Sequence, residues 1–317
     1  PVSAKLWRGK NVHIFGGPLY VCWQSGLMQW LSDWIPNVLI MEANPRYIHS
    51  PAALQWMRKQ GGKLIGWGLG SPNPQGMFSS YRLSLRKKFI QQFDALITYS
   101  SQGASEYAAL GFSPDHIFTA PNAVAPRPKH ALPERSNEYL GGRPILVFVG
   151  RLQDRKRVDT LIRACATLPP TILPTLKIIG DGPSRTALEA LAKEVYPDTI
   201  FYGAKHGSDL EQHLRSADLF VLPGTGGLAV QEAMSFALPV IVGEADGTQD
   251  DLVRPENGWL LPDISVQTLA DTITCAVGDI DALRKKGAAS FRIVDQEINL
   301  ENMVSVFSRA INTVLED

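Results

Sequence analysis

The sequence predicts an α/β fold of two doubly wound domains facing one another across a cleft. Three observations carry that expectation. Short apolar runs alternate with helix-forming stretches through residues 12–120, a proline-rich segment interrupts them near residues 123–143, and a second alternating series follows. The expected limits are 1–140 for an N-terminal domain, 141–299 for a C-terminal domain and 300–317 for a helix that packs back on the first.

Composition agrees and excludes several classes. The chain has 317 residues, 44% of them hydrophobic and 20% charged, which suits two globular domains and argues against disorder. Lys plus Arg and Asp plus Glu are both 31, so nothing in the charge points to a nucleic-acid partner. Cys22, Cys165 and Cys275 are scattered without CxxC spacing, which suits a reducing compartment and excludes a disulfide scaffold or a cysteine zinc site. No apolar run reaches bilayer length, and residues 1–10 lack the apolar core of a signal peptide. The expected location is therefore cytoplasmic, with room for a peripheral contact at the inner face of a membrane. The first residue is Pro1 rather than Met, as in a trimmed piece of a longer chain.

In the first half, residues 12–15 read as a strand ending in Gly16-Gly17-Pro18, residues 27–34 as a helix stopped before Pro36, and residues 37–41 as the next strand. A polar loop with Asn44, Pro45, Arg46 and His49 leads to a helix over 51–59 and a strand over 63–67. After the loop containing Gly68 and Gly70, a helix over 78–93 is followed by strands over 95–99 and 117–120, with a helix over 104–110 between them. In a parallel sheet of this kind ligands gather beyond the carboxyl ends of the strands, here the loops at Gly16, Glu42, Gly68, Ser100 and Asn122.

Pro126, Pro128, Pro133 and Gly141-Gly142 mark residues 123–143 as a linker without regular structure. Strands are then expected at 145–149, 176–179, 200–202, 219–222 and 240–242, with helices beginning near Asp159, Ser184, Leu210 and Gly227. A last helix over 300–315 has Met303, Val304, Phe307, Ile311 and Val314 at helical spacing.

The stretch LFVLPGTGGLAVQEAMSFALPVIV, 219–242, organises the second series. It reads as a buried strand, a glycine-rich turn, a helix and a second buried strand. A helix preceded by small residues leaves free N–H groups and a partial positive charge at its start, which suits a phosphate. Glu232, one and a half turns further on, can accept hydrogen bonds from sugar hydroxyls. The plainer reading is a strand, turn and helix with a solvated glutamate. Gly150-Arg151-Leu152 leaves an earlier strand and Lys156 follows five residues after Arg151, so two cations at a strand end can clamp a diphosphate. Taken alone, GRLQDRKR reads as a charged surface turn. Gly180-Asp181-Gly182-Pro183 lets a ligand approach backbone, although a tight turn needs the same residues.

Taken together and in order, PNAV at 121–124, VGRLQDRKRVDTLIRA at 149–164, LKIIGDGP at 176–183, ADLFVLPG at 217–224, GLAVQEAM at 227–234, LPVI at 238–241 and ENGWLLP at 256–262 resemble the retaining nucleotide-sugar glycosyltransferases of family 4. The resemblance covers nearly all of residues 94–280 and implies the GT-B fold, two Rossmann-like domains with the donor half at the C-terminal side. It implies that Arg151 and Lys156 are the catalytic cations on the donor diphosphate and that Glu232 binds the ribose. It further implies that Gly150, Gly182 and Gly224 line the donor, that Thr225, Gly226, Gly227, Leu228 and Ala229 turn N–H groups to phosphate, and that Ala204 and Lys205 lie along the base. Gly16, Gly17, Gly68 and Asn122 fall on the acceptor side. The donor is expected to be a UDP- or GDP-linked sugar and the acceptor a glycan, a lipid-linked glycan or a small molecule. Protein cations and a helix terminus neutralise the diphosphate on this reading, so no metal or other cofactor is needed.

Two positions depart from the family pattern. A glutamate is usual eight residues before Glu232, where this chain has Gly224; Asp246, Gln249, Asp250 and Asp251 are nearby candidates for its role. A histidine is usual after the third strand of the acceptor half, where Gly66-Trp67-Gly68 stands, and His13, His49 and His206 read as isolated histidines rather than catalysts. The region before NVLIMEA supplies one strand where relatives have more, so the fold is abbreviated there or an upstream piece is missing. On the helix over 78–93, Tyr81, Leu85 and Phe89 share a stripe opposite Arg82, Arg86, Lys87 and Lys88, a pattern compatible with an anionic lipid or a charged glycan as well as with a helix packed on its sheet. A glycosyltransferase-like binding subunit without turnover and a nucleotide-sugar epimerase are the alternative functions.

Overall fold

The computed structural model describes residues 6–15, 20–71, 76, 78–243 and 247–316. It divides into two compact units, Pro1–Ala120 with Val304–Asp317, and Pro121–Met303. Each is built on a parallel sheet, which is the expected class.

The first unit comprises β1 (Asn11–Ile14), β2 (Val21–Gln24), α1 (Leu27–Trp34), β3 (Val38–Glu42), α2 (Ser50–Lys59), β4 (Lys63–Gly68), α3 (Ser79–Ile90), β5 (Ala95–Thr98), α4 (Ser101–Ala109) and β6 (Ile117–Thr119). Strands β3, β4, β5 and β6 pair in chain order, all parallel. Strand β5 is buried along its whole length, as its uninterrupted ALIT run requires. Leu31, Leu54, Met57, Leu64, Ile90 and Tyr107 pack into the core of this unit. The beginning differs from expectation. β1 does not join the parallel sheet but pairs antiparallel with β2, a four-residue strand too short to stand out in the sequence. β2 is tied to the loop after β3, where Cys22 N–H donates to Arg46 O (2.9 Å) and Ile48 N–H to Cys22 O (3.0 Å).

The second unit comprises β7 (Ile145–Val149), α5 (Val158–Ala166), β8 (Thr175–Ile179), α6 (Arg185–Val195), β9 (Thr199–Gly203), α7 (Ser208–Ser216), β10 (Leu219–Leu222), α8 (Leu228–Ser235), β11 (Val240–Gly243), β12 (Gly258–Leu261), α9 (Val266–Gly278) and α10 (Ile280–Gln296). Helix α11 (Leu300–Glu316) begins here, and its residues from Val304 group with the first unit, where Phe307 meets Trp67 edge to face. The sheet is six parallel strands in the order β12-β11-β10-β7-β8-β9. Ser265 and Asp279 cap α9 and α10 through the N–H groups of Thr268 and Ala282.

The boundary between units falls at residues 120 and 121, not 140 and 141. Residues 121–140 have no ladder of their own, so their polar groups find partners in the second unit. Val124 and Ala125 N–H donate to Gln231 Oε1 (2.8 and 3.2 Å), Arg135 donates to Phe236 O (2.7 Å) and Tyr139 to Val277 O (2.8 Å).

Candidate functional site

In the second sheet the chain direction of winding reverses between β7 and its neighbour β10. Ligands of doubly wound sheets bind outside the carboxyl ends of the strands at such a reversal. The two loops that leave these strands carry Gly150, Arg151 and Lys156 on one side and Gly224 to Gly227 on the other. They are joined directly. The Lys156 ammonium donates to Thr225 O, Thr225 N–H donates to Arg155 O (3.2 Å), and the Arg155 guanidinium donates to Thr225 Oγ1 (2.9 Å).

Backbone packing explains the glycines. A Cβ on Gly224 would stand 2.1 Å from Arg155 O and 2.5 Å from Lys156 Cα, so no side chain fits where the family pattern has glutamate. Gly180, at φ +145°, lies so close to the β7 loop that a Cβ would stand 1.9 Å from Gly150 O. Gly150 N–H donates to Ile179 O, Leu152 N–H to Asp181 O and Gly180 N–H to Gly203 O, so that with the Thr225–Arg155 bond the ends of β10, β7, β8 and β9 form one stitched rim.

A cavity of about 310 Å³ opens in this rim. It is lined by Gly150, Arg151, Ala204, Lys205 and Glu232, all sequence candidates, together with Gly180, Asp181 and His206. Arg151 is exposed and Glu232 half-buried. Burial pushes the Glu232 carboxyl above its ordinary value, with Glu211 adding to the rise and His206 opposing it. Glu232 also lines a cavity of about 470 Å³ with Arg127, Lys129, His130, Glu211 and Phe236.

The other candidates are distributed around the cavity. Gly227 is the N-cap of α8 with no side-chain hydrogen bond, and Gln231 N–H is bonded to Gly227 O, so Leu228 and Ala229 lie in the helix's first turn. Gly182 packs against the Leu152 carbonyl, apart from the residues that line the cavity. Asn122, expected on the acceptor side, belongs to the second unit and lies beside the start of α8, with Gly227, Leu228, Thr248 and Leu252 around a void of about 30 Å³. Gly16, Gly17 and Asp246 lie outside the described residues. Gln249 is fully buried, and its backbone carbonyl accepts from the N–H groups of Leu252 and Val253.

At the carboxyl edge of the first sheet, Gly68 lines a larger cavity of about 690 Å³ with Glu42, Arg46, Trp67, Arg86, Tyr99 and Tyr107 among its walls. Sequence reasoning had Arg46 and Arg86 only as loop and basic-face residues and did not single out Tyr99 or Tyr107. It also left His206 as an isolated histidine. Position was the available signal for Arg46, Tyr99 and His206, which follow closely on the carboxyl ends of β3, β5 and β9, whereas Arg86 and Tyr107 lie within α3 and α4. The stripe on α3 is not fully packed. Phe89 is buried against Phe93, whereas Tyr81 and Leu85 are exposed, so their solvent-facing side keeps an apolar character. Among the described residues no group of three or more His, Cys, Asp or Glu side chains is placed to hold a metal ion, and no helix is long and apolar enough to cross a membrane.

Residues 133–287 match the family described as Glycosyl transferases group 1. The chain is 31% identical over 195 residues to a GDP-mannose-dependent alpha-(1-6)-phosphatidylinositol monomannoside mannosyltransferase of Mycolicibacterium smegmatis, an alignment that covers 57% of this chain and 50% of that protein. It is 36% identical over 139 residues to a GDP-mannose-dependent alpha-mannosyltransferase of Mycobacterium tuberculosis, covering 41% and 35%. The chain thus spans half or less of the length of these curated relatives. HepE of Anabaena in complex with UDP is similar with a TM-score of 0.68 at 17% identity, over 92% of this chain and 82% of that one. Sucrose-phosphate synthase of Thermosynechococcus elongatus reaches 0.69 at 19% identity, over 91% and 76%. At these identities the likeness bears on the fold, which is GT-B. The likeness to the glycosyl transferases group 1 family is thus carried by residues 133–287.

Proposed function

We propose that the chain binds a nucleoside-diphosphate sugar in its second unit and transfers the sugar, with retention, to an acceptor hydroxyl. The observation that carries this reading is the joining of the β7 and β10 loops at the sheet's point of reversal, beside a cavity that gathers Arg151, Lys205 and Glu232. The Glu232 carboxylate accepts hydrogen bonds from the ribose hydroxyls, and Ala204 and Lys205 flank the base. Arg151, Lys156 and the N–H groups of Leu228 and Ala229 take up the charge of the diphosphate. As the acceptor oxygen bonds to the anomeric carbon, the bond from that carbon to the diphosphate oxygen breaks, and the acceptor proton passes to the departing phosphate on the same face. Negative charge grows on the diphosphate in this step, so cations held there stabilise the transition state more than the ground state.

Metal independence is part of the proposal, because two side-chain cations and a helix terminus supply the neutralisation. Turnover that persists in EDTA supports it, and loss restored by Mg²⁺ or Mn²⁺ refutes it. The names of the curated relatives specify GDP-mannose, and HepE was solved with UDP, so GDP- and UDP-sugars are the donors to try first. The first relative is named for a phosphatidylinositol-linked acceptor, which makes a lipid-linked glycan one acceptor class to test.

The decisive experiment is calorimetric titration of UDP, GDP and ADP into the wild type and Lys156→Ala. Loss of a phosphate-contacting cation weakens binding by about 1.5 to 3 kcal/mol, roughly tenfold or more. Equal affinities in the two proteins refute the assignment. Because Gly224 replaces the usual glutamate and cannot carry a side chain, a subunit that binds donor without turnover is the competing reading. Slow release of UDP or GDP from a nucleotide sugar in water distinguishes a catalyst from such a subunit.

A further inference from the structure

The cavity at the carboxyl edge of the first sheet is rich in hydrogen-bond donors that lack acceptors. Tyr107 is fully buried, and among the described residues neither its O–H nor the buried indole N–H of Trp67 has an acceptor. Burial pushes the Tyr107 phenol up to about 12, so it keeps its proton, and the Gly70 N–H donates to its oxygen, which leaves the O–H as a donor. The indole N–H can only donate. Buried donors left unmade are costly, so such a pair is expected to meet a ligand.

The charges around the cavity point the same way. Arg46 and Arg86 both line it. The Arg86 guanidinium is held below its usual value first by burial and then by the like charges of Arg46 and Arg82, with Glu106 and Tyr107 opposing. The two nearby carboxylates are engaged by neutral donors. Glu42 accepts from Tyr47 Oη (2.7 Å) and Asn44 Nδ2 (3.1 Å), and Glu106 accepts from Ser71 N–H (2.7 Å) and Gln102 Nε2 (3.2 Å). The loop that carries Arg46 is fixed by Cys22 N–H on Arg46 O and by Arg46 N–H on Asn44 Oδ1 (3.1 Å). At Gly68 a side chain would begin 2.7 Å from the Tyr107 oxygen, so the absence of one leaves the hydroxyl reachable.

We propose that this cavity recognises an anionic group, a phosphate or a carboxylate, carried by the sugar acceptor. Arg46 and Arg86 meet its charge, and Tyr107 and Trp67 donate to its oxygens. The inference rests on the transferase reading above and names the acceptor class for it. The membrane-facing reading of the basic helix becomes one source of the same anion rather than a separate function.

The test titrates the full chain, by tryptophan fluorescence and calorimetry, with inorganic phosphate, glucuronate, neutral methyl glucoside, and vesicles of phosphatidylglycerol or of phosphatidylcholine. UDP and GDP binding is followed in parallel. At least one anion is expected to bind about tenfold tighter than the neutral glucoside, and Arg46→Ala and Arg86→Ala are each expected to weaken it about tenfold. Tyr107→Phe is expected to weaken it about threefold or more, since it removes a donor to the anion. Binding confined to phosphatidylglycerol vesicles identifies a lipid headgroup as the source, and binding of free phosphate or glucuronate identifies a soluble acceptor. Equal binding of charged and neutral probes, or arginine variants with wild-type affinity, overturns the proposal. If nucleotide binding is retained in that case, the transferase reading survives; if nucleotide binding is also absent, both fall.

Discussion

The two parallel sheets each open a cavity at their carboxyl edge, but the two cavities are built from different material. The one in the second unit, about 310 Å³, sits in a rim of backbone: glycines pressed against carbonyls, and loops stitched N–H to C=O across four strands. The one in the first unit, about 690 Å³, is walled by aromatic rings and guanidinium groups, and two of its buried donors are unpaired. Backbone recognition suits a ligand part common to many enzymes, such as a diphosphate, because it tolerates little variation in the protein. Side-chain recognition suits the part that differs from one enzyme to the next.

The largest test of this contrast is Gly224→Glu, which restores the residue usual in the family. The new side chain would begin 2.1 Å from Arg155 O and 2.5 Å from Lys156 Cα, both backbone atoms. Thermal unfolding should show a loss of about 3 kcal/mol or more, roughly 6 to 12 °C in Tm. An unchanged Tm would mean that the rim yields and is not the rigid frame described here.

The next effect in size is the asymmetry of ligand loss. Lys156→Ala should weaken UDP or GDP roughly tenfold while leaving inorganic phosphate at the first unit unaffected, and Arg86→Ala should do the reverse. Loss of both ligands in either variant would erase the division between the cavities.

A smaller and pH-dependent effect follows from Glu232. Its carboxyl titrates above the ordinary value because of burial, so the folded protein holds that proton more tightly than the unfolded chain. The resulting stability is fully present below the ordinary carboxylate value and is lost as pH rises through the folded value. Ligand binding has the opposite slope, since only the carboxylate accepts two ribose hydroxyls. Nucleotide affinity should therefore fall as pH drops through the folded value, and Glu232→Gln should bind more weakly at neutral pH with a flatter profile. Identical profiles would remove Glu232 from the site.

The smallest change expected is that of Arg155→Ala, which deletes an exposed hydrogen bond to Thr225 Oγ1. Chemical denaturation should register about 0.5 to 1 kcal/mol.

Much of the fold was legible because parallel strands covered on both faces are nearly continuous apolar runs, as at ALIT, ILVFV, LFVL and VIVG. Strands without that signature were missed. Four-residue β2 pairs antiparallel at an exposed edge, and β12 begins at Gly258 and is only partly buried. Helices α9 and α10 were also not expected from the sequence. Most of the candidate donor-side residues stood out in the sequence because they fall in loops after strands, where small and cationic residues have few other uses. Tyr107 and Arg86 were not, since each sits within a helix where an aromatic or an arginine is ordinary.

Sequence alone determined the alternation of elements, the α/β class and the loops at the carboxyl ends of the strands, because burial periodicity and glycine placement are local properties. Tertiary structure alone decided which loops meet and where the units divide. It put the reversal of strand order between β7 and β10, drew residues 121–140 into the second unit through Gln231 and Arg135, and left no room for a side chain at position 224. Those outcomes depend on hydrogen bonds and close approaches between residues scores of positions apart, which no local pattern encodes.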